Sequence, residues 1–246
     1  MKERALEYPQ PGDRFVPLFG RRDEVRTLAA ALRARTSCLV VGPKGIGKTR
    51  LLQESFAVAG QPYLYIEESK VLHQLLVALA ERLSGPAGRL GNIRNATSAA
   101  LKPSVLDVLR RQPRCLVIDN VADADPRMYR FLQQVYYIPA VCLIVTAASR
   151  DGLGHLRKLL WDPRQEIALQ PLTRPESLSL FDVASRMYQL QSFDLAAFRG
   201  KVLTAAQGNP GQILTMCRMA SRPEYQDGRH IKFLPLRIDA LTAFVQ

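Results

Sequence analysis

The run Gly42-Pro43-Lys44-Gly45-Ile46-Gly47-Lys48-Thr49 concentrates more chemistry than any other stretch of the chain. It satisfies G-x-x-x-x-G-K-[ST], a spacing made for anions. A phosphate needs several backbone N–H groups at close range, and Gly42, Gly45 and Gly47 remove the Cβ atoms that would keep it away. The apolar run Cys38-Leu39-Val40-Val41 precedes the loop, and Thr49 to Phe56 follows with helical periodicity. The loop therefore joins a buried strand to a helix whose N-terminus presents partial positive charge. Lys48 is placed to reach β- and γ-phosphates, and the Thr49 hydroxyl to ligate Mg²⁺. Pro43, Lys44, Ile46 and Arg50 complete the set expected to line the nucleotide. The implied ligand is a nucleoside triphosphate.

A carboxylate partner is expected further on. Arg114-Cys115-Leu116-Val117-Ile118-Asp119-Asn120 has four apolar residues ending in Asp, so a buried strand would deliver Asp119 to the sheet edge, into the Mg²⁺ shell. The competing reading is an ordinary turn aspartate. Asn120 follows, and an amide cannot accept a proton as a carboxylate does. Slow hydrolysis and a switch-like role are expected. Val141-Cys142-Leu143-Ile144-Val145-Thr146 is another buried strand, ending in Ala147-Ala148-Ser149-Arg150. Thr146 or Arg150 at this strand end could sense a γ-phosphate; a surface arginine capping a helix is the alternative for Arg150.

These residues need a scaffold. The pattern predicts a helix around Leu28–Leu32 and the helix after the loop at about 48–59. A strand follows over Pro62–Glu67, then helices over Val71–Leu83 and Ser104–Arg111. Gly85 through Thr97, with Arg89 and Arg94, reads as a mobile loop. Leu156–Trp161 is expected to close a helix, and Gln165–Leu169 to form a fifth strand. Thr173 and Glu176 have capping-box spacing at the start of a helix through Val183, and further helices are expected near 194–207 and 210–221. The expected divisions are an N-terminal arm (1–18), a phosphate-binding core (19–171), a helical lid (172–222) and a basic, then amphipathic, C-terminal tail (223–246).

Composition narrows the partners. Thirty-four Lys+Arg against 22 Asp+Glu give a net charge of +12. This fits a polyanion such as duplex DNA, or else a protein that is simply arginine-rich. Cys38, Cys115, Cys142 and Cys217 lie in apolar segments without metal-ligand spacing and read as buried thiols of a cytoplasmic protein. His73, His155 and His230 are scattered, and no apolar run approaches a membrane span.

With these residues in hand, the chain resembles AAA+ and STAND P-loop ATPases over about residues 18–222. Leu18-Phe19-Gly20 resembles their box that lies against adenine, and Gln207-Gly208-Asn209-Pro210 resembles their lid motif, whose proline packs near the base. The resemblance implies an α/β fold: a three-layer parallel P-loop NTPase sheet (AAA+/ASCE-like) with a small C-terminal helical lid. It also implies ATP and Mg²⁺ as cofactors. Thr146 resembles the polar sensor of AAA+ proteins, and Ser149-Arg150 the sensor of STAND proteins. Asn120 departs from both, since AAA+ enzymes mostly carry Glu there and STAND proteins commonly Asp. Gln212 stands near where replication-initiator relatives carry a second sensor arginine. Arg164, with Arg157 as the alternative, occupies the place of an arginine finger acting on a neighbouring subunit, which implies a homo-oligomer. The compact layout is similar to DNA-associated AAA+ regulators of bacterial transposition, implying duplex DNA and a transposase-like partner. The alternative is a STAND-like signalling or defence subunit whose sensor lies on another protein.

Overall fold

The computed structural model describes residues 17–67, 71–84 and 93–245. Most of the expected N-terminal arm, and the part of the expected loop that carries Arg89, lie outside the described residues. The remainder divides into two compact units. One comprises residues 23–43 and 48–169; the other comprises residues up to 22, Lys44–Gly47 and the stretch from Gln170.

The first unit is built on five parallel strands, β1 (Cys38–Val41), β2 (Tyr63–Ile66), β3 (Cys115–Ile118), β4 (Cys142–Ala147) and β5 (Glu166–Ala168), in the order β2-β3-β4-β1-β5. Every residue of β1, β3 and β4 is buried, whereas β2 and β5, at the edges, are only partly so. Continuous apolar runs are what a parallel sheet covered on both faces demands, which is why the inner strands are legible in sequence. Alternation sorts the side chains. Leu39, Leu64, Ile66, Leu116, Ile118, Leu143 and Val145 face α3 (Leu72–Ser84), α4 (Ser98–Arg111) and α5 (Pro126–Tyr136). The opposite face receives α2 (Lys48–Ala59), where Phe56 stacks on Tyr63 at 3.8 Å between ring centroids. Another helix, α1 (Arg22–Arg33), precedes β1 and buries Leu28, Ala29 and Leu32. Phe131 of α5 is fully buried, so truncating it to alanine would cost about 3–5 kcal/mol.

Two expectations are corrected here. Helix α4 begins at Ser98, six residues before the expected Ser104, and runs through Pro103. Thr97 caps it by accepting from the Ala100 N–H, and Leu101 is buried with Val105, Leu106 and Leu109. The continuous apolar stripe outweighs the one hydrogen bond a proline forfeits. Leu156–Trp161 closes no α-helix; Asp151–Leu153 and His155–Lys158 are separate 3-10 turns broken at Gly154, φ +57°. A Cβ there would collide with the Ala124 backbone, so the chain turns where a helix would have to continue.

The second unit is helical. It contains α6 (Arg174–Met187), α7 (Leu195–Ala206), α8 (Pro210–Ala220), a small hairpin of β6 (Gln226–Asp227) and β7 (His230–Ile231), and α9 (Phe233–Val245). Phe181, Phe198 and Phe233 form a chain of ring contacts at its centre, with Val202, Ile213, Cys217 and Leu236 around them. The C-terminal stretch thus supplies core residues of this unit. All four cysteines are buried. No helix among the described residues is long and apolar enough to cross a membrane.

Candidate nucleotide-binding site

In the sheet unit, β1, β3 and β4 all end on the same side because they run parallel. The chain leaves β1 at Gly42, leaves β3 at Asp119 and completes β4 through Thr146 and Ala147. Parity then decides which groups meet. Residues 65, 119 and 146 point to the face that carries α2, and Thr49 stands in the first turn of that helix. The result is a knot of hydroxyls on one carboxylate. Thr49 donates to Asp119 Oδ2 at 2.7 Å, Tyr65 donates to the same oxygen at 2.5 Å, and Thr146 donates to Oδ1. Asp119 is 5% exposed, so these bonds replace the water it has given up. Thr146, fully buried, also accepts from the Asn120 N–H at 2.8 Å.

Lys48 is buried, and its ammonium donates to the carbonyl oxygens of Gly42 at 2.7 Å and Pro43 at 3.2 Å. Burial lowers its pKa, opposed by the negative charge of Asp119. Burial also raises the Tyr65 phenol well above its ordinary value, reinforced by its bond to Asp119, so the group remains a donor across the physiological range. Asn120 is exposed and holds φ +55°, a left-handed conformation that asparagine tolerates better than most residues. Arg50 engages Gln53 and Glu54 along α2.

The other cationic candidates are held differently. Arg150 is tied to Glu166 of β5 through Nε at 2.6 Å and Nη2 at 2.5 Å, while Nη1 donates to the Leu160 and Trp161 carbonyls. This fastens the 3-10 segment to the edge strand. Arg164 pairs with Asp162 through Nε and Nη2 and its side chain is 89% exposed; Arg157 is exposed as well. The Arg164 guanidinium holds the Asp162 carboxyl below its ordinary pKa.

Lys44–Gly47 belong with the helical unit. Asn209, the N-cap of α8, donates from Nδ2 to the Lys44 carbonyl at 2.9 Å, and the Gly211 N–H donates to the Gly45 carbonyl at 2.9 Å. Gly45, φ +79°, has no room for a Cβ because Phe244 of α9 and Asn209 lie against it. Gly47, φ +104°, faces open space in which an added Cβ would touch nothing within 4 Å. Pro210 occupies the first position of α8, and Ile46 is buried. Phe19 packs against the helical core. Gly20, φ +62°, lies where a Cβ would overlap the Glu176 carboxylate, itself bonded to the Thr173 N–H that opens α6.

A magnesium ion fits the donor set. Thr49 and Asp119 offer hard oxygens side by side, and no cluster of three or more His, Cys, Asp or Glu that could hold a metal occurs among the described residues. Such a pair suits a cation that draws its remaining ligands from phosphate and water. Sequence reasoning missed Tyr65. A tyrosine one position before the end of an edge strand carries only a faint signal, namely that its parity matches Asp119.

Comparison with known proteins agrees with this geometry. Residues 17–136 match the family model of the AAA ATPase domain. No curated protein matches the chain significantly. Among solved structures, ORC1 of Aeropyrum pernix, solved in complex with DNA, superposes at TM-score 0.65 with 17% identity, over 92% of this chain and 66% of that one. Drosophila ORC bound to DNA gives 0.62 and 17%, over 100% and 70%. A STAND protein of Pyrococcus horikoshii with a tetratricopeptide repeat sensor gives 0.53 and 15%, over 94% and 33%. The chain therefore spans just under two thirds of the ORC1 chain's length and a third of the STAND protein's.

Proposed function

We propose that the chain is a nucleotide-dependent switch of the AAA+/STAND type, a reading supported by the match of residues 17–136 to the AAA ATPase domain model. In this reading it binds ATP with Mg²⁺, hydrolyses it slowly and assembles on duplex DNA. The observation that carries the reading is the Thr49–Asp119 pair, 2.7 Å apart beside the buried Lys48 ammonium. Lys48 exchanges the Gly42 and Pro43 carbonyls for β- and γ-phosphate oxygens, and the N–H groups of the loop from Gly42 to Thr49 cradle the same phosphates. Thr49 and Asp119 would hold Mg²⁺, which would offset the charge on those oxygens. Residues 19–171 act as the ATPase core and 172–222 as a lid, with Phe19, Gly20 and Pro210 on the side of the base.

Asn120 supplies no carboxylate to take a proton from attacking water, which supports slow turnover. Arg164 or Arg157 completes a neighbouring subunit's site, a role that exposure suits. Arg150 reaches phosphate only by releasing Glu166. The net charge of +12 and the two DNA-bound ORC structures support duplex DNA as the polyanion, in a transposition-type or other DNA transaction in the cytoplasm. The STAND-like neighbour and Asn120 favour a second reading, a switch subunit whose sensor lies on a partner protein.

Light scattering with ATP, with ADP, and with ATP plus duplex DNA at low and moderate salt separates the two. Growth into large particles only with ATP and DNA, reduced by salt and by Arg164→Ala, is expected for the first. A monomer in every condition rejects it in favour of the second.

A further inference from the structure

Three hydroxyls converge on Asp119, and the proposed metal site accounts for only part of them. Thr49 is the metal-side partner. Thr146 holds Oδ1 from a strand buried on both faces. Tyr65 remains, donating at 2.5 Å to the oxygen that Thr49 already engages. Packing alone does not explain it. The neighbouring Tyr63 provides the stacking contact with Phe56, and a phenylalanine at 65 would fill the same half-buried position.

The terminal torsion of an aspartate is broad, so its carboxylate plane is set by its hydrogen bonds rather than by a rotamer well. An ionised carboxylate offers about four acceptor directions. Thr49 and Tyr65 take both directions on Oδ2, and Thr146 takes one on Oδ1. One direction is left for a water in the metal's shell. Without Tyr65 the carboxylate is held by the two threonine bonds alone, and that direction is less firmly fixed.

We propose that Tyr65 is a positioning residue for Asp119: its hydroxyl locks the carboxylate in the orientation that receives hydrated Mg²⁺ beside Thr49. The inference rests on the nucleotide-site reading above. Partners that orient a metal's ligands commonly carry a tenfold or larger share of metal affinity.

The test is Mg²⁺ titration of the full chain with a fluorescent ATP analogue, starting from EDTA, for wild type, Tyr65→Phe and Lys48→Ala. For Tyr65→Phe, the Mg²⁺ concentration at half-maximal binding should rise roughly tenfold, with metal-free binding and the far-ultraviolet circular dichroism spectrum unchanged. Rescue at high Mg²⁺ should be complete. A wild-type midpoint in Tyr65→Phe overturns the proposal and leaves a packing tyrosine. A lower midpoint also overturns it, since the phenol would then be competing with the metal shell. If wild type itself shows no Mg²⁺-dependent binding, or Lys48→Ala binds as wild type does, it is the nucleotide-site reading that fails.

Discussion

The cluster around Asp119 and the stretch from Arg150 to Gln165 both hold groups suited to phosphate, yet they are built in opposite ways. Asp119 is 5% exposed, and its three partners come from three different elements, α2, β2 and β4. Arg164 is 89% exposed on its side chain, and its partner Asp162 lies two residues away on an irregular turn. A group held by distant elements has its orientation fixed by the whole fold. One held by its own turn can exchange partners without disturbing anything else. Arg150 is a third case, a cation engaged by Glu166 and two carbonyls. The difference separates groups whose orientation the fold sets from groups whose pairing can change when something approaches.

The largest effect should come from the fixed cluster. Lys48→Ala removes the buried ammonium, and ATP affinity in equilibrium titration should fall by about 100-fold, the size expected when a buried charge partner is truncated. An unchanged affinity would mean that the cluster is structural. Next, Thr146→Val keeps the shape of the β4 side chain but leaves Asp119 Oδ1 and the Asn120 N–H without their partner. Urea denaturation should show a loss of about 1–3 kcal/mol. A neutral result would mean that another group satisfies Asp119, which would weaken the contrast drawn above.

The smallest effect belongs to a locally held group, Glu176. Its pKa is lowered, chiefly by hydrogen bonding to the Thr173 side chain and backbone at the start of α6. A carboxylate with a depressed folded-state pKa stabilises the fold above its unfolded value, and that contribution disappears as pH falls through the folded value. Stability measured by thermal melting should therefore decline somewhat more steeply below pH 4.5 in wild type than in Glu176→Gln. Parallel curves would show that the cap contributes nothing measurable.

Legibility followed the same divide. The loop from Gly42 to Thr49, the strands bearing Asp119 and Thr146, and the cap at Thr173 are written locally, as glycine spacing, apolar runs and a capping pair. They could be read without the fold. The start of α4 could not, because Pro103 obeys a local rule that buried Leu101 overrides. Nor could the contact of Tyr65 with Asp119, which depends on strand order and parity across 54 residues. The partner of Arg150 was hidden for the same reason, since Glu166 reaches it from another strand.

The helical unit is not a contiguous piece of the chain. It takes in Phe19 to Arg22, then Lys44–Gly47, then the stretch from Gln170. Arg21, buried, donates to the Gln170 carbonyl, and Gly20 leaves room for the Glu176 carboxylate. Grafting the C-terminal helices onto another scaffold as a single cassette would therefore strip them of Phe19, Arg21 and the loop that Asn209 and Gly211 engage. Recombination inherits this unit intact only when all three segments travel together, so its natural boundary for protein engineering is a set of four cuts.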